Sequence, residues 1–514
     1  MIFVHNLMET YLAIDKQSTT MLRKIRIIAA TICFTLITLL FLDFTGTIHA
    51  WFGWLAKVQF LPAVLALNVG IVILLIALTI IFGRIYCSVL CPLGVMQDII
   101  SWWASKRKKN RFNFSPAKNW LRYSVLVIFI ATMIAGVAAV ALLVAPYSAY
   151  GRIAQNLFAP IWGLGNNLLA FIAEHLDSYA FYTTEVVIRS ISTFAVAVVT
   201  LIAIAILAWR NGRTYCNTIC PVGTLLGMLS RFSLLKPVID TEKCINCKLC
   251  ARKCKASCID AENHAIDYSR CVVCMDCLES CSKGAIKYTF RKGSAKPAEK
   301  AGEVAVDKSR RNFIVGAGML ATSAVKAQEM KLDGGYATII DKQPPFKNRA
   351  LTPPGSLSAR NMAAHCTGCQ LCVAVCPTLV LRPSADLTTF MQPEMSYEKG
   401  YCRPECNKCS QVCPTGAIKP ISVEEKSSIQ IGHAEWNRKN CIVLTDDVDC
   451  GNCERHCPTG AITMILSDYR DLKSRKVPSV NKHLCIGCGA CENLCPARPF
   501  SAIYVKGYSN HRNI

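Results

Sequence analysis

The sequence predicts an α+β protein in which a four-helix transmembrane part precedes small cysteine-rich units. Three observations predict this fold class. Long apolar stretches concentrate before residue 210 of the 514-residue chain. Twenty-four of the 30 cysteines fall into six groups of four with short, repeated spacings. Two adjacent arginines, Arg310 and Arg311, begin a segment between the second group and the third. These features divide the chain into a membrane part and two cysteine-rich parts.

The membrane part, residues 1–235, is predicted from hydropathy. Its apolar stretches lie near 27–42, 60–82, 120–145 and 187–209. A helix of roughly 20 residues crosses a hydrocarbon core of about 30 Å, and buried helices of a soluble protein are the alternative. Basic flanks mark the cytoplasmic ends of spans, and here they lie at 23–26, 106–111 and 210–213. The expected topology is therefore a cytoplasmic N-terminus, four crossings and a cytoplasmic residue 210.

A repeated motif closes each half of the membrane part. The pattern G-R-x-Y-C-x3-C-P-x-G begins at Gly83 and again, 129 residues later, at Gly212. A pseudo-twofold arrangement of the halves would bring together Cys87, Cys91, Cys216 and Cys220. Four such thiolates could hold a further iron–sulfur cluster, and a structural turn is the alternative. Cys33 is expected only to pack within the first helix, and an apolar stretch near 152–172 is expected to be re-entrant or interfacial.

The first two cysteine groups, within residues 236–290, have the C-x2-C-x2-C-x3-C spacing of a two-cluster ferredoxin. In that motif the fourth cysteine of each run binds the other cluster. One [4Fe–4S] cluster is assigned to Cys244, Cys247, Cys250 and Cys281. The second is assigned to Cys271, Cys274, Cys277 and Cys254. Lys255 stands where the motif has proline, and Cys258 is a spare thiol.

The last four groups, within residues 329–514, each end in Cys-Pro and predict four more [4Fe–4S] clusters, six in all. Their cysteines are Cys366, Cys369, Cys372, Cys376, Cys402, Cys406, Cys409, Cys413, Cys441, Cys450, Cys453, Cys457, Cys485, Cys488, Cys491 and Cys495. Zinc sites use two C-x2-C pairs separated by a longer loop, and disulfides stabilise small oxidised domains without such repeated spacing. Cys441 is the least regular of these ligands, because a long first step separates it from Cys450.

The net charge and the positions of the histidines narrow the classes of partner and cofactor that are expected. The formal net charge is +23, but the basic residues lie beside apolar stretches, so no nucleic-acid partner is expected. No histidine falls within the four apolar stretches, and no C-x-x-C-H run occurs. Haem is therefore not expected, and iron–sulfur clusters are the predicted electron carriers.

A linker and an export signal are predicted between the cysteine-rich parts. Residues 291–308 have the composition of a flexible linker. Residues 309–328 begin with Ser-Arg-Arg-Asn-Phe-Ile and continue as an apolar run, the pattern of a twin-arginine signal. This signal would export a folded, cluster-bearing domain, leaving residues 210–308 cytoplasmic and residues 329–514 periplasmic. A short helix of a wholly cytoplasmic protein is the alternative, and cleavage after Ala327 or retention as a fifth membrane segment both stay open.

These motifs together resemble a fusion of two known ferredoxin-type proteins. Residues 20–290 resemble NapH-type membrane ferredoxins, the quinol dehydrogenase components of periplasmic nitrate reductase systems. Residues 309–500 resemble NapG/MauM-type four-cluster ferredoxins. Analogy with four-cluster subunits implies that the first of the last four groups pairs with the fourth, and the second with the third. Cys495 would then complete the cluster of Cys366, Cys369 and Cys372, and Cys376 would complete the cluster of Cys485, Cys488 and Cys491. Likewise, Cys457 would complete the cluster of Cys402, Cys406 and Cys409, and Cys413 would complete the cluster of Cys441, Cys450 and Cys453.

The resemblance implies a membrane-bound quinol dehydrogenase and electron-transfer protein. Its partners would be the membrane quinol pool, the lipid bilayer and a periplasmic oxidoreductase, often a molybdenum enzyme, or another electron carrier. The sequence does not locate the quinol site, although His49, Trp51, Glu174 and His175 are expected toward the outer face. A redox-sensing or oxidase-assembly protein and a conduit driven by a cytoplasmic donor are the alternatives.

Overall fold

The computed structural model describes residues 2–43, 45–106, 112–136, 138–178, 180–290, 340–345 and 349–514. The predicted linker and twin-arginine segment, 291–328, lie outside the described residues. The helices of the first part are α1 Ile2–Leu42, α2 Thr47–Phe52, α3 Trp54–Lys57, α4 Phe60–Leu65, α5 Val69–Phe82, α6 Ile85–Val89, α7 Pro92–Ser105, α8 Asn119–Ile134, α9 Ala138–Val144, α10 Pro146–Ile153, α11 Ala159–His175, α12 Ile191–Asn211, α13 Thr214–Thr218 and α14 Pro221–Ser230. A π-helix, Ala154–Phe158, joins α10 to α11.

Two of the four predicted spans are single helices of spanning length. Within the described residues, Met21–Leu42 and Ile191–Asn211 could cross a membrane by length and composition. The predicted 60–82 span is divided into α4 and α5, because Leu67 takes a left-handed conformation (φ 52°) and Asn68 caps α5. The predicted 120–145 span is divided into α8 and α9, because Gly136 (φ 74°) ends α8. The expectation of four uninterrupted spanning helices is therefore not met.

The cysteine-rich parts consist of very short helices and two-stranded sheets. Their helices are α15 Leu249–Lys253, α16 Asp276–Ser280, α17 Ala359–His365, α18 Leu371–Ala374, α19 Lys408–Val412, α20 Val423–Ser428, α21 Ile442–Thr445, α22 Asn452–Arg455 and α23 Ala490–Asn493. Their strands are β1 Leu235–Ile239, β2 Ile259–Asp260, β3 Ala265–Ile266, β4 Ile286–Phe290, β5 Leu381–Pro383, β6 Pro393–Met395, β7 Ile429–Trp436, β8 Ile462–Leu466, β9 Lys476–Val480 and β10 Ile503–Asn513. Such small sheets have little apolar surface of their own, so the cysteine sites must supply much of the order.

Each described sheet is an antiparallel pair. In the first cysteine-rich unit β1 pairs with β4, placing Ile239 opposite Ile286, and β2 pairs with β3. In the second unit β5 pairs with β6, β8 with β9, and β7 with β10. The β1–β4 and β7–β10 pairs each enclose two cysteine groups along the chain, whereas the other three pairs are hairpins that lie between successive groups.

The two cysteine-rich units contact opposite ends of the apolar half of α1, Met21–Leu42. At the start of this half, Arg23 forms ion pairs with Asp276 (2.9 Å) and Glu279 (2.7 Å) of the first unit. At its end, Leu42 and Val375 of the second unit border the same cavity. The 19 steps from Arg23 to Leu42 correspond to about 29 Å at 1.5 Å per residue. The units are thus separated by a distance close to the thickness of a bilayer core, about 30 Å.

Candidate iron–sulfur sites

The first unit brings its cysteines together in the two predicted sets. One mainly apolar cavity is lined by Cys244, Cys247, Cys250 and Cys281. A second is lined by Cys254, Cys271, Cys274 and Cys277, with the spare Cys258 beside them. The fourth cysteine of each run therefore lies with the other run, as the spacing predicts. Cluster ligation by these cysteines remains a prediction, but each site offers four sulfur donors around an apolar centre.

A repeated backbone turn shapes four of the six cysteine loops. The residues directly before and after the second cysteine of the group have positive φ in each of these loops. They are Asn246 and Lys248, Val273 and Met275, Gly368 and Gln370, and Gly487 and Gly489. Alternating turns of this kind form a concavity of backbone N–H groups that suits anions and iron–sulfur centres. The left-handed conformation costs a non-glycine residue roughly 1 kcal/mol, so the loop must be fixed by what it holds.

Two residues that the sequence left unexplained have roles at the first unit. The Cys258 thiol lies 3.5 Å from Cys254 Sγ, and this hydrogen bond lowers the pKa of Cys254 to about 7. Lys255, which replaces the expected proline, lies 2.9 Å from Asp276 and 3.4 Å from Asp98 of α7. Cys258 therefore favours the thiolate of a predicted ligand, and Lys255 ties the first unit to the helical part.

In the second unit the pairing expected by analogy is wrong. Cys495 does not lie with the first of the four groups. It shares a cavity with the irregular group, lined by Cys441, Cys450, Cys453 and Cys495. Burial raises the pKa of Cys491, and negative charge on Cys488, Cys485 and Cys457 raises it further, which places Cys457 with the last group. The third and fourth groups therefore exchange their fourth cysteines.

The first and second of the last four groups make the same exchange. Burial raises the pKa of Cys372, and negative charge on Cys369, Cys366 and Cys413 adds to the rise. Burial likewise raises the pKa of Cys409, to which Cys402 and Cys376 contribute. Cys413 thus lies with the first group and Cys376 with the second. The two pairs meet where Cys402 N–H donates to Cys488 O at 2.9 Å.

The four cysteines of the membrane repeat form a third kind of site. Cys87, Cys91, Cys216 and Cys220 are each only 4% exposed. Burial raises the pKa of Cys220, and negative charge on Cys216, Cys91 and Cys87 raises it further, so the four thiols are close neighbours. The structure therefore brings together the set that the repeat predicts.

A reciprocal hydrogen-bond pattern relates the two halves of this site. Arg84 Nη2 donates to Cys216 O (3.2 Å), and Arg213 Nη1 donates to Cys87 O (2.7 Å). Pro92 and Pro221 begin α7 and α14, where a missing N–H costs nothing. Each motif glycine then lets the arginine of the other half approach: a Cβ on Gly94 would lie 2.6 Å from Arg213 Nη1, and one on Gly223 would lie 2.8 Å from Arg84 Nη2. The motif thus encodes a pseudo-twofold contact.

Two buried arginines supply positive charge beside these thiols. Arg213 is paired with Asp98, its Nε lying 2.8 Å from the carboxylate. Arg84 is fully buried, and its hydrogen bonds in the described structure go to Asn217 Oδ1, two carbonyl oxygens and, at 3.8 Å, Cys87 Sγ. A buried charge without a counter-ion is costly. An anionic occupant held by the four thiolates would supply that counter-ion.

The donor sets fit cubane clusters. Four neighbouring buried thiolates repel one another. Bound iron offsets this repulsion, because its positive charge neutralises the deprotonated sulfurs that ligate it. No three His, Cys, Asp or Glu side chains in the described ranges surround a single metal-ion position. A cubane cluster carries one thiolate on each of four irons and therefore spaces its ligands more widely.

Comparisons with known proteins agree with this arrangement. A "4Fe-4S binding domain" family matches residues 65–111 and 193–239, the two copies of the membrane repeat. Two "4Fe-4S dicluster domain" families match residues 365–418 and 448–498. The first dicluster match contains two neighbouring cysteine groups, and the second contains the last group and all of the third except Cys441. No solved structure matches the chain.

Three similar proteins illustrate the relationship. An uncharacterized protein of Methanocaldococcus jannaschii is 33% identical over 107 residues, 21% of this chain and 43% of that protein, so the chain spans less than half of that relative. The ferredoxin-type protein NapF of Escherichia coli is 26% identical over 182 residues, 35% of this chain and 100% of NapF. The methylamine utilization ferredoxin-type protein MauM of Methylorubrum extorquens is 30% identical over 189 residues, 34% of this chain and 82% of MauM. With 4Fe–4S dicluster domains at residues 365–418 and 448–498, the chain belongs to the family of MauM-like ferredoxin-type iron–sulfur proteins.

Proposed function

We propose that the protein is a membrane-bound electron-transfer protein that oxidises quinol and passes the electrons through [4Fe–4S] clusters to a periplasmic oxidoreductase. The observation that carries the proposal is a continuous buried core between the two cysteine-rich units. This core contains Cys274 and Cys277 at one end, the four thiols of the membrane repeat in its middle, and Cys369 at the other end. Such a core joins the sites without an intervening aqueous gap.

Aromatic side chains fill the part of this core between the membrane repeat and Cys369. Tyr86, Tyr147 and Tyr150 are buried there. The rings of Phe41 and Tyr147 lie 5.9 Å apart, and those of Phe41 and Tyr150 lie 6.1 Å apart. A Cβ added to Gly151 would lie 2.3 Å from Cys369 O, so α10 directly abuts the first cysteine loop of the second unit. The electron path therefore continues from the membrane repeat into the four-cluster unit.

The order of the last four sites suits a chain of electron carriers that leads away from the helical part. The site of Cys369 is nearest the helices, and it exchanges a cysteine with the site of Cys402. Cys402 and Cys488 are joined by a backbone hydrogen bond. The site of Cys488 in turn exchanges a cysteine with the site of Cys441. We propose that electrons leave toward the partner protein from this last, outermost site.

The proposed topology places the first unit in the cytoplasm and the second unit in the periplasm. Its support is the separation of the units along α1 and the outward-facing apolar surface of the long helices. Only 28% of the apolar window of Met21–Leu42 and 22% of that of Ile191–Asn211 are buried within the protein. Large exposed apolar surfaces indicate a membrane or partner contact. Export of the second unit by the twin-arginine segment is part of the same proposal.

Reduction of the clusters by quinol tests the function. Full-length protein in detergent would be mixed anaerobically with excess menadiol, and electron paramagnetic resonance would follow reduced [4Fe–4S] clusters. Signals should appear within seconds and match a large part of those produced by dithionite. Clusters that stay oxidised under menadiol but respond to dithionite would contradict the proposal.

A second candidate, a conduit fed by a cytoplasmic donor, is favoured by the surface of the first unit. Cys247 is the only exposed cysteine of the described structure. Lys243, Lys248 and Lys283 lie around the same site. A basic rim beside an accessible cluster suits an acidic electron donor. Reduction by an acidic ferredoxin but not by menadiol would favour this second function.

A further inference from the structure

A buried histidine–carboxylate pair lies at the outer end of α1. Asp43 follows the last turn of that helix and is 5% exposed. Its carboxylate accepts N–H groups from Gly46 (2.7 Å) and Ile48 (2.8 Å) and lies 3.4 Å from His49 Nδ1. Burial raises the pKa of Asp43, but the hydrogen bonds outweigh it and leave the pKa below its usual value. Asp43 is therefore a carboxylate, and Nδ1 of His49 carries the proton that faces it.

The other ring nitrogen of His49 is unused. His49 Nε2 is buried and has no hydrogen-bond partner among the described residues. Its side chain is only 8% exposed, and burial lowers the pKa of His49 despite the neighbouring Asp43. The imidazole is therefore neutral at neutral pH, and its fixed tautomer leaves a lone pair on Nε2. A buried acceptor with no partner is costly unless something binds to it.

This histidine lines a cavity between the helical part and the four-cluster unit. The cavity measures about 420 Å³, within the roughly 300–1,000 Å³ of small-molecule sites. One wall consists of His49, Trp51 and Trp54, and the opposite wall contains Val375 and Val412. Trp51 and Trp54 are 79% and 56% exposed, as aromatic side chains are at a membrane interface.

The opposite wall lies beside two different predicted clusters. Val375 directly precedes Cys376, which lies with Cys402 and Cys409, and Val412 directly precedes Cys413, which lies with Cys372. A two-electron donor in this cavity would thus have two one-electron acceptors at hand. A histidine held only for structure would need no place in the lining of this cavity.

We propose that this cavity binds the hydroxylated ring of a quinol and that His49 Nε2 accepts one of its hydroxyl protons. The inference rests on the proposed quinol oxidation and locates its site. The quinol loses two protons and two electrons, and its two C–O bonds become carbonyl bonds. One O–H proton goes to His49 Nε2 and the other to water at the cavity mouth. The electrons reduce two oxidised [4Fe–4S] clusters by one electron each. Asp43 is a positioning residue that holds the tautomer and stabilises the protonated ring.

Binding and reduction are tested separately on the full-length protein in detergent. The probe is 2-heptyl-4-hydroxyquinoline N-oxide, a fluorescent quinol analogue, with binding read as fluorescence quenching. His49→Gln should weaken its binding at least tenfold and slow menadiol-driven cluster reduction roughly 100-fold, the usual contribution of a proton acceptor. Iron content and dithionite reduction should stay as in the unmodified protein. Imidazole in the buffer should restore part of the rate of His49→Ala.

Two matched variants serve as controls. His175→Gln changes a histidine at the end of α11 whose Nδ1 faces only its own helix, at Phe171 O. Gln155→Ala changes the second cavity beside Cys376, where Gln155 Oε1 is also buried without a partner. Both should bind the analogue and react with menadiol like the unmodified protein.

The outcomes separate the site from the function. If menadiol reduces the unmodified protein and His49→Gln equally well and the analogue binds both equally, the proposed site is wrong and quinol oxidation stands. A loss confined to Gln155→Ala would place the quinol in the second cavity and overturn the inference. If menadiol fails to reduce the unmodified protein, the proposed function falls, and the site with it.

Discussion

The first cysteine-rich unit and the second are built from the same exchange, used once in the first and twice in the second. In residues 244–281, each of two neighbouring groups gives its fourth cysteine to the other. In residues 366–413 the first two groups make this exchange, and in residues 441–495 the last two groups make it. The second unit is therefore two dicluster modules in series. The exchange of fourth cysteines is therefore local in both units: it takes place between groups adjacent in the chain, whatever the number of groups.

The largest test of this comparison removes Cys495, the fourth cysteine of the last group. Cys495→Ser should remove the cluster of Cys441, Cys450 and Cys453, and iron analysis should show a loss of about four irons per protein. Double substitutions identify which cluster is lost. Adding Cys450→Ser to Cys495→Ser should remove no further iron, because both act on one site.

The matched control adds Cys369→Ser to Cys495→Ser. These cysteines lie in different modules, so about four further irons should be lost. Under the pairing that analogy implied, the two results would be exchanged: Cys369→Ser would add nothing, and Cys450→Ser would cost the second cluster. Iron content and the electron paramagnetic resonance spectrum of each variant distinguish the two arrangements.

The second test asks whether the four cysteines of the membrane repeat also bind a [4Fe–4S] cluster. Its four thiols come from two distant repeats instead of two adjacent groups, and the positive charge of Arg84 beside them lacks a carboxylate partner in the described structure. We expect a seventh cluster there, about 28 irons in all. Cys216→Ser should lower the iron content to about 24.

The control for this test is Cys33→Ser, which changes a cysteine of α1 outside every described cysteine site. It should leave the iron content at the level of the unmodified protein. An unmodified protein with about 24 irons, unchanged by Cys216→Ser, would make the four thiols a structural contact between the repeats.

The sequence predicts the cysteine sets that follow from spacing and from the internal repeat. It misses the contacts that form only when the chain is folded. Spacing alone identified Cys244 with Cys281, because their loops are adjacent, and the repeat alone identified Cys87 with Cys216. Cys495 joins the adjacent group, as Cys281 does, whereas analogy with four-cluster subunits supplied a distant partner. Lys255 and Cys258 looked like irregularities because their contacts with Asp98 and Cys254 exist only in the folded structure. His49 looked isolated for the same reason, since a capped turn brings Asp43 to its ring.

The smallest test compares the same loop position in the two units. The residue after the second cysteine of the group is left-handed in both: Lys248 (φ 59°) in the first unit and Gly489 (φ 80°) in the second. Lys248 points outward and pairs with the exposed Glu262, whereas a Cβ on Gly489 would lie 2.3 Å from the ring of Tyr397. The first position thus tolerates a side chain at a conformational cost, and the second excludes one.

Substitutions at these two positions should therefore change the unfolding free energy differently. Lys248→Gly removes a left-handed cost of roughly 1 kcal/mol and an exposed ion pair that contributes roughly 0–1 kcal/mol, so the unfolding free energy should stay level or rise slightly. Gly489→Ala adds the left-handed cost and overpacking of about 1–3 kcal/mol against Tyr397, so the unfolding temperature should fall. Thermal unfolding of iron-replete protein measures both. Equal effects at the two positions would mean that the bound cluster, and not the packing around it, determines how each loop responds.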